Sequence, residues 1–202
     1  MVYTGVMVLL ALFACVRPQA ANVQDIVAAP PPVAVPGSEM AFYEVTGRTP
    51  VDVVESMTEN APQDSSIHHA AQTDWDVVWR YPAGPDDGSA PACQLDQVDV
   101  HVSILTRFPH WQPPADADPK DVDEWARYTT ALAKHESAHV RIIDDLAGTL
   151  PAALNAGTCD DADQRGEAVL DAIRAQNAEL DTDTLDGETT GAELAWVAPF
   201  GG

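Results

Sequence analysis

The sequence predicts an α+β domain, because strand patterns come first along the chain and long helical patterns follow. Residues 98–104 alternate between apolar and polar side chains, which is typical of a strand with one covered face. Residues 118–148 place apolar and aromatic side chains at helical spacings of three, four and seven. We therefore expect a small antiparallel sheet packed against one long helix and a second, C-terminal helix.

Two more strands and a short helix are expected before the long helix. The stretches MAFYEVTG at 40–47 and TDWDVVWRYP at 73–82 are rich in β-forming residues. Between them, Thr49 can cap a helix whose first position is Pro50. We expect residues 107–119, RFPHWQPPADADP, to form a loop because they break the strand pattern.

The two long helices have recognisable ends. Asp118 is suited to the N-cap of the first and Pro119 to its first position, while Gly148 and Pro151 mark its end. The second is expected from about residue 160 to 180, with Gly166 weakening its middle.

The charge balance excludes one class of partner. The 202 residues include 32 acidic and 10 basic side chains, for a formal net charge of −22. Such a surface repels phosphate backbones and anionic lipid heads, so we expect no nucleic-acid partner. The acids are dispersed in short clusters, which indicates a solvated exterior more than an interaction patch.

The N-terminus resembles an export signal. Residues 5–15, GVMVLLALFAC, form an apolar run that is shorter than a membrane span of about 20 residues. We expect residues 1–17 to be a signal, with Cys15 either lipidated or part of a plain cleaved signal or uncleaved anchor. Residues 18–40 are rich in Pro and Ala and are expected to be a tether before a folded domain at 41–202. This organisation predicts a periplasmic, envelope-anchored or secreted protein whose only membrane contact is that anchor.

The cysteines support the same compartment. Cys93 and Cys159 form an even pair in the body of the chain, which suits one disulfide in an oxidising environment. No two cysteines have the CxxC spacing, so thiolate ligation of a metal is not expected.

The string His-Glu-x-x-His lies in the middle of the predicted long helix. His135 and His139 are four residues apart, so both imidazoles can reach one zinc ion from the same helix face. Glu136 is rotated away from the metal but can reach a water bound to it and act as general base. The sequence therefore predicts a Zn²⁺ site with His135 and His139 as ligands.

The third ligand is less clearly marked. Glu167 and Asp171 form an ExxxD pair on the second helix, resembling thermolysin-like peptidases, while Asp181 and Asp186 lie in a Gly-containing loop that could fold over the site. Residues 144–145 are acidic and follow the site, but are expected to be the solvated end of the long helix.

Other candidate residues are expected to be structural. Trp75 and Trp79 lie four apart in a strand, so both rings face one side and are expected in the core. The remaining histidines are expected on the surface or in a loop, and no oxyanion donor is assigned from these candidates: His68, His69, His101, His110 and Tyr128.

Several stretches together resemble a known family over residues 41–194. They include FYEVTGRTPVDV, CQLDQVDVHVSILTRFPHW, ALAKHESAH and LDTDTLDGETTGA. The chain resembles a bacterial family of secreted zinc-dependent proteases with an HExxH motif, catalogued mainly as a domain of unknown function. The resemblance implies a zincin-like fold. That family closes with a segment similar to Tyr-Asp-x-x-Thr-x-His-Gly, in which Leu180 here replaces the Tyr and Asp186 the His. The resemblance therefore implies Asp186 as third ligand, with Asp181 and Glu167 as alternatives.

Together these observations predict a zinc-dependent metallopeptidase acting on a peptide or protein substrate. Two alternatives stay open. One is a non-catalytic envelope protein that keeps the fold with a degenerate metal site, and the other is a zinc amidase that cleaves a cell-wall amide.

Overall fold

A computed structural model describes residues 38–64, 67–68, 70–82 and 94–196 of the chain. The predicted export signal with Cys15, most of the tether, His69 and Cys93 lie outside the described residues. The first strand begins at Ser38, inside the stretch that the sequence assigned to the tether.

The described part of the chain confirms the α+β class. Its strands and helices, in chain order, are β1 (Ser38–Val45), α1 (Pro50–Asn60), β2 (Gln63–Asp64), β3 (Ile67–His68), β4 (Gln72–Arg80), β5 (Asp99–Trp111), α2 (Pro119–Ala147), α3 (Leu150–Asn155) and α4 (Cys159–Thr184). Short 3₁₀ turns lie at Leu95–Gln97 and Glu188–Thr190. None of the helices in this part of the chain is long and apolar enough to cross a membrane.

The main sheet is mixed, not antiparallel throughout. Its strand order is β1-β5-β4, with β5 antiparallel to β4 but parallel to β1. A parallel pair needs a long crossover connection, and the chain between β1 and β5 supplies it with α1 and β4. The expected antiparallel sheet is therefore wrong for β1, because alternation along a strand does not specify the direction of its neighbour.

Strand β5 also continues where we expected a loop. It runs to Trp111 through Pro109 and pairs Phe42 with Phe108 and Val45 with Trp111. Phe108 and Trp111 are both buried. The apolar surface that these side chains bury favours continued pairing despite the proline.

The helix ends follow local chemistry. Thr49 forms a capping box with Asp52 at the start of α1, and the side chain of Asp118 accepts a hydrogen bond from the Lys120 amide at the start of α2. Helix α2 ends at Ala147, before Gly148, as predicted. Helix α4 continues to Thr184, beyond the predicted end at 180.

Pro151 does not simply end α2, as expected, but lies in the first turn of the short helix α3, which the sequence did not predict.

Gly166 has a packing role in α4. A Cβ atom built at this position would lie 2.7 Å from the Trp79 ring, so the missing side chain lets α4 approach β4 closely. Trp75 and Trp79 both pack against the core, as predicted. The glycine is thus needed for contact between the sheet and α4.

The core has two main parts, and the HExxH segment lies between them. One part includes Trp111, Trp125 and Leu132, and the other includes Val140 and Ile173. Helix α2 contributes to both parts, so residues 135–139 lie at their junction.

Candidate metal centre

Two imidazole rings meet on the buried face of α2. His135 and His139 are 4% and 9% exposed, and their Nε2 atoms lie 3.2 Å apart. The ring planes are nearly perpendicular, at 89°. The one-turn spacing therefore brings the two ring nitrogens to a common point, as the sequence predicted.

A carboxylate from α4 reaches the same point. Asp181 Oδ1 lies 2.9 Å from His139 Nε2 and 3.3 Å from His135 Nε2. In the described part of the chain, these three side chains form a cluster of ligand atoms that all lie within 4.8 Å of one another.

Asn177 fixes the orientation of the His139 ring. The His139 Nδ1 atom lies 2.6 Å from Asn177 Oδ1, while Asn177 Nδ2 donates to the Ile173 carbonyl at 2.8 Å. Because the amide nitrogen is engaged elsewhere, the amide oxygen must be the acceptor for His139 Nδ1–H. The Nε2 atom of a neutral His139 then carries a lone pair.

Thr184 acts in the same way on His135. Its hydroxyl donates to the Leu180 carbonyl at 2.7 Å and accepts from the Gly187 amide at 3.1 Å. The only hydroxyl proton is therefore used, and the longer 3.5 Å contact with His135 Nδ1 has the imidazole as donor. This arrangement leaves a lone pair on His135 Nε2 as well.

Three acceptor atoms thus converge without a proton between them when both rings are neutral. Positive charge at this point stabilises such a group, and either a proton on an imidazole or a metal ion can supply it. Tetrahedral ligands at about 2.0–2.1 Å from zinc lie about 3.3 Å apart, close to the separations of 3.2, 3.3 and 2.9 Å found here. The donor set of two imidazoles and one carboxylate fits a zinc ion.

The charges of the cluster reinforce one another. Burial disfavours a charged His139, but the hydrogen bond with Asp181 and the charges of Glu136 and Asp181 raise the pKa of this imidazole overall. Burial also opposes ionisation of Asp181, yet the two imidazoles hold the pKa of its carboxyl far below the ordinary value of 3.8. Asp181 is therefore a carboxylate at neutral pH, the form in which it can bind a metal.

A residue of the sheet, Thr73 in β4, orients the Glu136 carboxylate. Glu136 is 4% exposed, and its Oε2 atom accepts a hydrogen bond from the Thr73 hydroxyl at 2.7 Å. Thr73 lies opposite Thr106 in the β4–β5 register, with the two hydroxyl oxygens 3.0 Å apart. Since the Thr73 proton goes to the carboxylate, Thr106 donates to Thr73. Among the described residues, the other oxygen of Glu136 has no hydrogen-bond partner.

The cluster opens into a cavity of about 380 Å³ between β4 and the C-terminal end of α4. Its lining includes the two histidines, Glu136, Asp181 and Trp75. The converging atoms therefore lie at the wall of a cavity and are not enclosed in the packed core.

The geometry favours Asp181 over Asp186 as third ligand. Asp186, our first choice from sequence, lines the cavity but is not part of the converging cluster in the described chain. The reason is the length of α4. Because the helix continues to Thr184, Asp181 lies on its α2-facing side instead of in a loop.

Glu167 and Asp171 lie too far along α4 from the two histidines to be ligands at the same point. Glu167 precedes Asp181 by fourteen residues on the same helix, which is about 21 Å along the axis. Asp171 is exposed and pairs with Arg174. In the described chain, neither residue belongs to the converging cluster.

The remaining sequence candidates lie outside the candidate metal centre. Asp144, Asp145 and His101 are exposed, as expected. His110 is half-exposed beside Phe42 and Glu44. Tyr128 is buried, with its hydroxyl near Met57, so it does not serve the cavity.

Cys159 is disulfide-bonded. This agrees with the predicted use of that cysteine, whose proposed partner, Cys93, lies outside the described residues.

The sequence analysis named Asp181 only as an alternative third ligand, and it missed three supporting residues, Asn177, Thr184 and Thr73. Asn177, Asp181 and Thr184 lie four and three residues apart, so α4 presents them on one face to the two histidines. That spacing could have predicted that the three side chains share one helix face. Thr73 had no such signal, because its contact with Glu136 depends on how β4 packs against α2.

One known family matches a part of the chain that includes all residues of the candidate metal centre. The DUF922 family, described as bacterial protein of unknown function, matches residues 40–187. The chain belongs to this family. No curated protein and no solved structure matches the chain. DUF922 membership agrees with the bacterial family of unknown function that the sequence resembles, and it names no metal and no reaction.

Proposed function

We propose that this DUF922 protein is an exported zinc-dependent hydrolase that cleaves peptide bonds. One observation carries the proposal. Two imidazole nitrogens and a carboxylate oxygen converge at ligand spacing beside a buried glutamate, and all four side chains line one cavity. Structural histidines do not require this combination, because a core would satisfy each ring nitrogen with its own partner.

His135, His139 and Asp181 would hold the metal, and water or substrate would complete its coordination. A bound zinc ion supplies positive charge that polarises the scissile carbonyl and makes water easier to deprotonate. Asn177 and Thr184 keep the two rings in the orientation that binding requires.

Glu136 would move the proton. Its oxygen without a protein partner can accept a proton from the attacking water and then return it to the leaving amine. The Thr73 hydroxyl binds the opposite oxygen and so holds the carboxylate plane in position. Little solvent reaches the glutamate, so its interactions are screened less than on the surface.

The disulfide supports export, and the net charge bears on the class of partner. Cys159 is disulfide-bonded, and disulfides persist in oxidising compartments. The strongly acidic composition, with a net charge of −22, suits a protein that works without nucleic acid.

The proposal is tested by measuring both the zinc content of the protein and its cleavage of a protein substrate. The zinc-loaded protein is incubated with an unfolded protein, reduced and alkylated casein, and new termini are mapped by mass spectrometry. We expect the parent to bind one zinc ion and cut the chain. The Glu136→Gln variant should bind zinc equally but lose at least about a hundredfold in rate.

The outcomes separate the proposal from its alternatives. Equal cleavage by Glu136→Gln and the parent would remove Glu136 from the mechanism. Zinc binding with cleavage of cell-wall fragments and no cut in casein would favour an amidase. Zinc binding without hydrolysis of either substrate would favour a non-catalytic envelope protein.

A further inference from the structure

The cavity has an excess of negative charge. Its lining includes four carboxylates, from Glu136, Asp181, Asp186 and Glu188. Within the described chain, none of the lining residues is a lysine or an arginine. Such a wall attracts cations and repels anions.

A bound zinc ion would not remove this excess. The metal's two positive charges offset the two carboxylates of Asp181 and Glu136, if both imidazoles are neutral. Asp186 and Glu188 then remain as two uncompensated charges. Neither side chain has a hydrogen-bond or ion-pair partner in the part of the chain that the structure describes.

The nearby cations are already engaged. Arg127 pairs with Glu124 and also donates to the Gly191 and Glu193 carbonyls. Arg174 lies over the Trp75 ring at 5.9 Å from its centroid and pairs with Asp171. Neither arginine is among the residues that line the cavity.

The turn that carries the two acids is tied to the candidate metal centre. The Asp186 amide donates to the Asp181 carbonyl, and Gly187 lies against the His135 ring. Asp186 itself has a left-handed backbone, with φ of 53°. The backbone of this turn is therefore tied to the candidate metal centre, and both acids line the same cavity.

We propose that the cavity selects substrates with a positively charged group, such as a lysine or arginine side chain or a free amine, close to the cleaved bond. The proposal rests on the proposed hydrolase function, and assigns Asp186 and Glu188 to substrate recognition. Two further features, separate from these acids, mark the cavity as a candidate substrate site. It is lined by the buried Glu136 side chain and by the three residues whose ligand atoms converge.

The first test measures binding without turnover. Three pools of capped heptapeptides differ only in having Lys, norleucine or Glu at one of the central positions. Their affinity for the zinc-loaded Glu136→Gln variant is measured by calorimetry. We expect the Lys pool to bind about fivefold tighter than norleucine and the Glu pool to bind weakest. The Lys preference should shrink in 0.5 M salt, because salt screens exposed charges.

A matched set of variants assigns the preference to the two acids. Combining Asp186→Asn and Glu188→Gln should abolish the Lys preference while leaving norleucine binding and zinc content unchanged. Asp183→Asn removes an equivalent exposed charge from the last turn of α4, outside the cavity lining, and should keep the preference. Equal binding of Lys and norleucine, a preference that survives the double substitution, or loss of zinc in that variant would each overturn the inference.

Failure of this inference is distinguishable from failure of the proposed function. Equal cleavage of the Lys and norleucine pools by the parent protein would sink the charge preference but leave the hydrolase intact. Tighter Lys binding with no cleavage of any pool would keep the recognition role and remove the peptidase activity.

Discussion

Asn177 accepts a hydrogen bond from His139 Nδ1 at 2.6 Å, and this contact determines which ring nitrogen faces Asp181. The amide is itself oriented by its bond to the Ile173 carbonyl, one turn earlier in α4. The packing of the two helices thus orients the ring nitrogens as the proposed metal site requires.

Removing this support should weaken metal binding. We expect Asn177→Ala to lower the zinc affinity by about 10- to 100-fold, because the ring loses its orienting partner. Competition with a chromogenic chelator measures the change. Gln164→Ala, at an exposed site earlier on α4, should leave the affinity unchanged. Equal affinities for all three proteins would show that Asn177 does not orient the ligand.

Two aspartates compete for the role of third ligand. We expect Asp181→Asn to reduce zinc content strongly and Asp186→Asn to retain it, since only Asp181 belongs to the converging cluster. Zinc per chain after gel filtration, measured by mass spectrometry, gives the answer. The reverse pattern would restore the assignment based on sequence resemblance.

The Thr73 hydroxyl should matter for turnover more than for binding. Thr73→Val removes the hydrogen bond to Glu136, so we expect kcat to fall about tenfold with KM and zinc content unchanged. Thr73→Ser should restore most of the rate. Thr58→Val, which removes a hydroxyl from the exposed face of α1, serves as control. A loss that Ser does not restore would point to packing as the cause.

Gly166 offers a stability test. Glycine-to-alanine changes inside helices usually stabilise by about 0.5–1 kcal/mol. Here the added methyl group meets the Trp79 ring at 2.7 Å, so we expect Gly166→Ala to destabilise by about 1–3 kcal/mol. Urea unfolding measures the difference, and adding Trp79→Leu should recover part of it. A more stable Gly166→Ala protein would contradict the close packing.

The metal-free protein should show a pH window of extra stability. The pKa of His139 is raised from 6.5, so its contribution is complete below that value and is lost as pH rises through the folded pKa. The pKa of Asp181 is lowered from 3.8, so its contribution is complete above that value and is lost on acidification. We expect unfolding free energies to peak between about pH 4 and 6.5, and the peak to flatten in Asp181→Asn. An unchanged pH profile in that variant would argue against the pairing.

The sequence predicted the parts of the site that depend on one element. His135, Glu136 and His139 lie within one turn of a helix whose caps are encoded locally, so their arrangement follows from spacing alone. The position at which α4 ends could not be predicted from local spacing. Burial of Leu180 and Thr184 accompanies the extension of α4 past its expected end, and this extension moves Asp181 from loop to helix.

Contacts between segments that are distant in the sequence also could not be predicted from local patterns. The parallel pairing of β1 with β5 and the continuation of β5 through Pro109 depend on the burial of Phe108 and Trp111. The bond from Thr73 to Glu136 joins residues 63 positions apart. Tertiary packing decides such features, and alternation or propensity along the chain does not report it.

X-ray absorption at the zinc edge tests the central claim most directly. For the parent protein loaded with one zinc ion, we predict four nitrogen or oxygen ligands at about 2.0–2.1 Å, with imidazole scattering from two histidines. His139→Ala should lose most of the zinc, and the zinc that remains should show imidazole scattering from one histidine only. A protein that binds no zinc, or a spectrum without histidine scattering, would contradict the account.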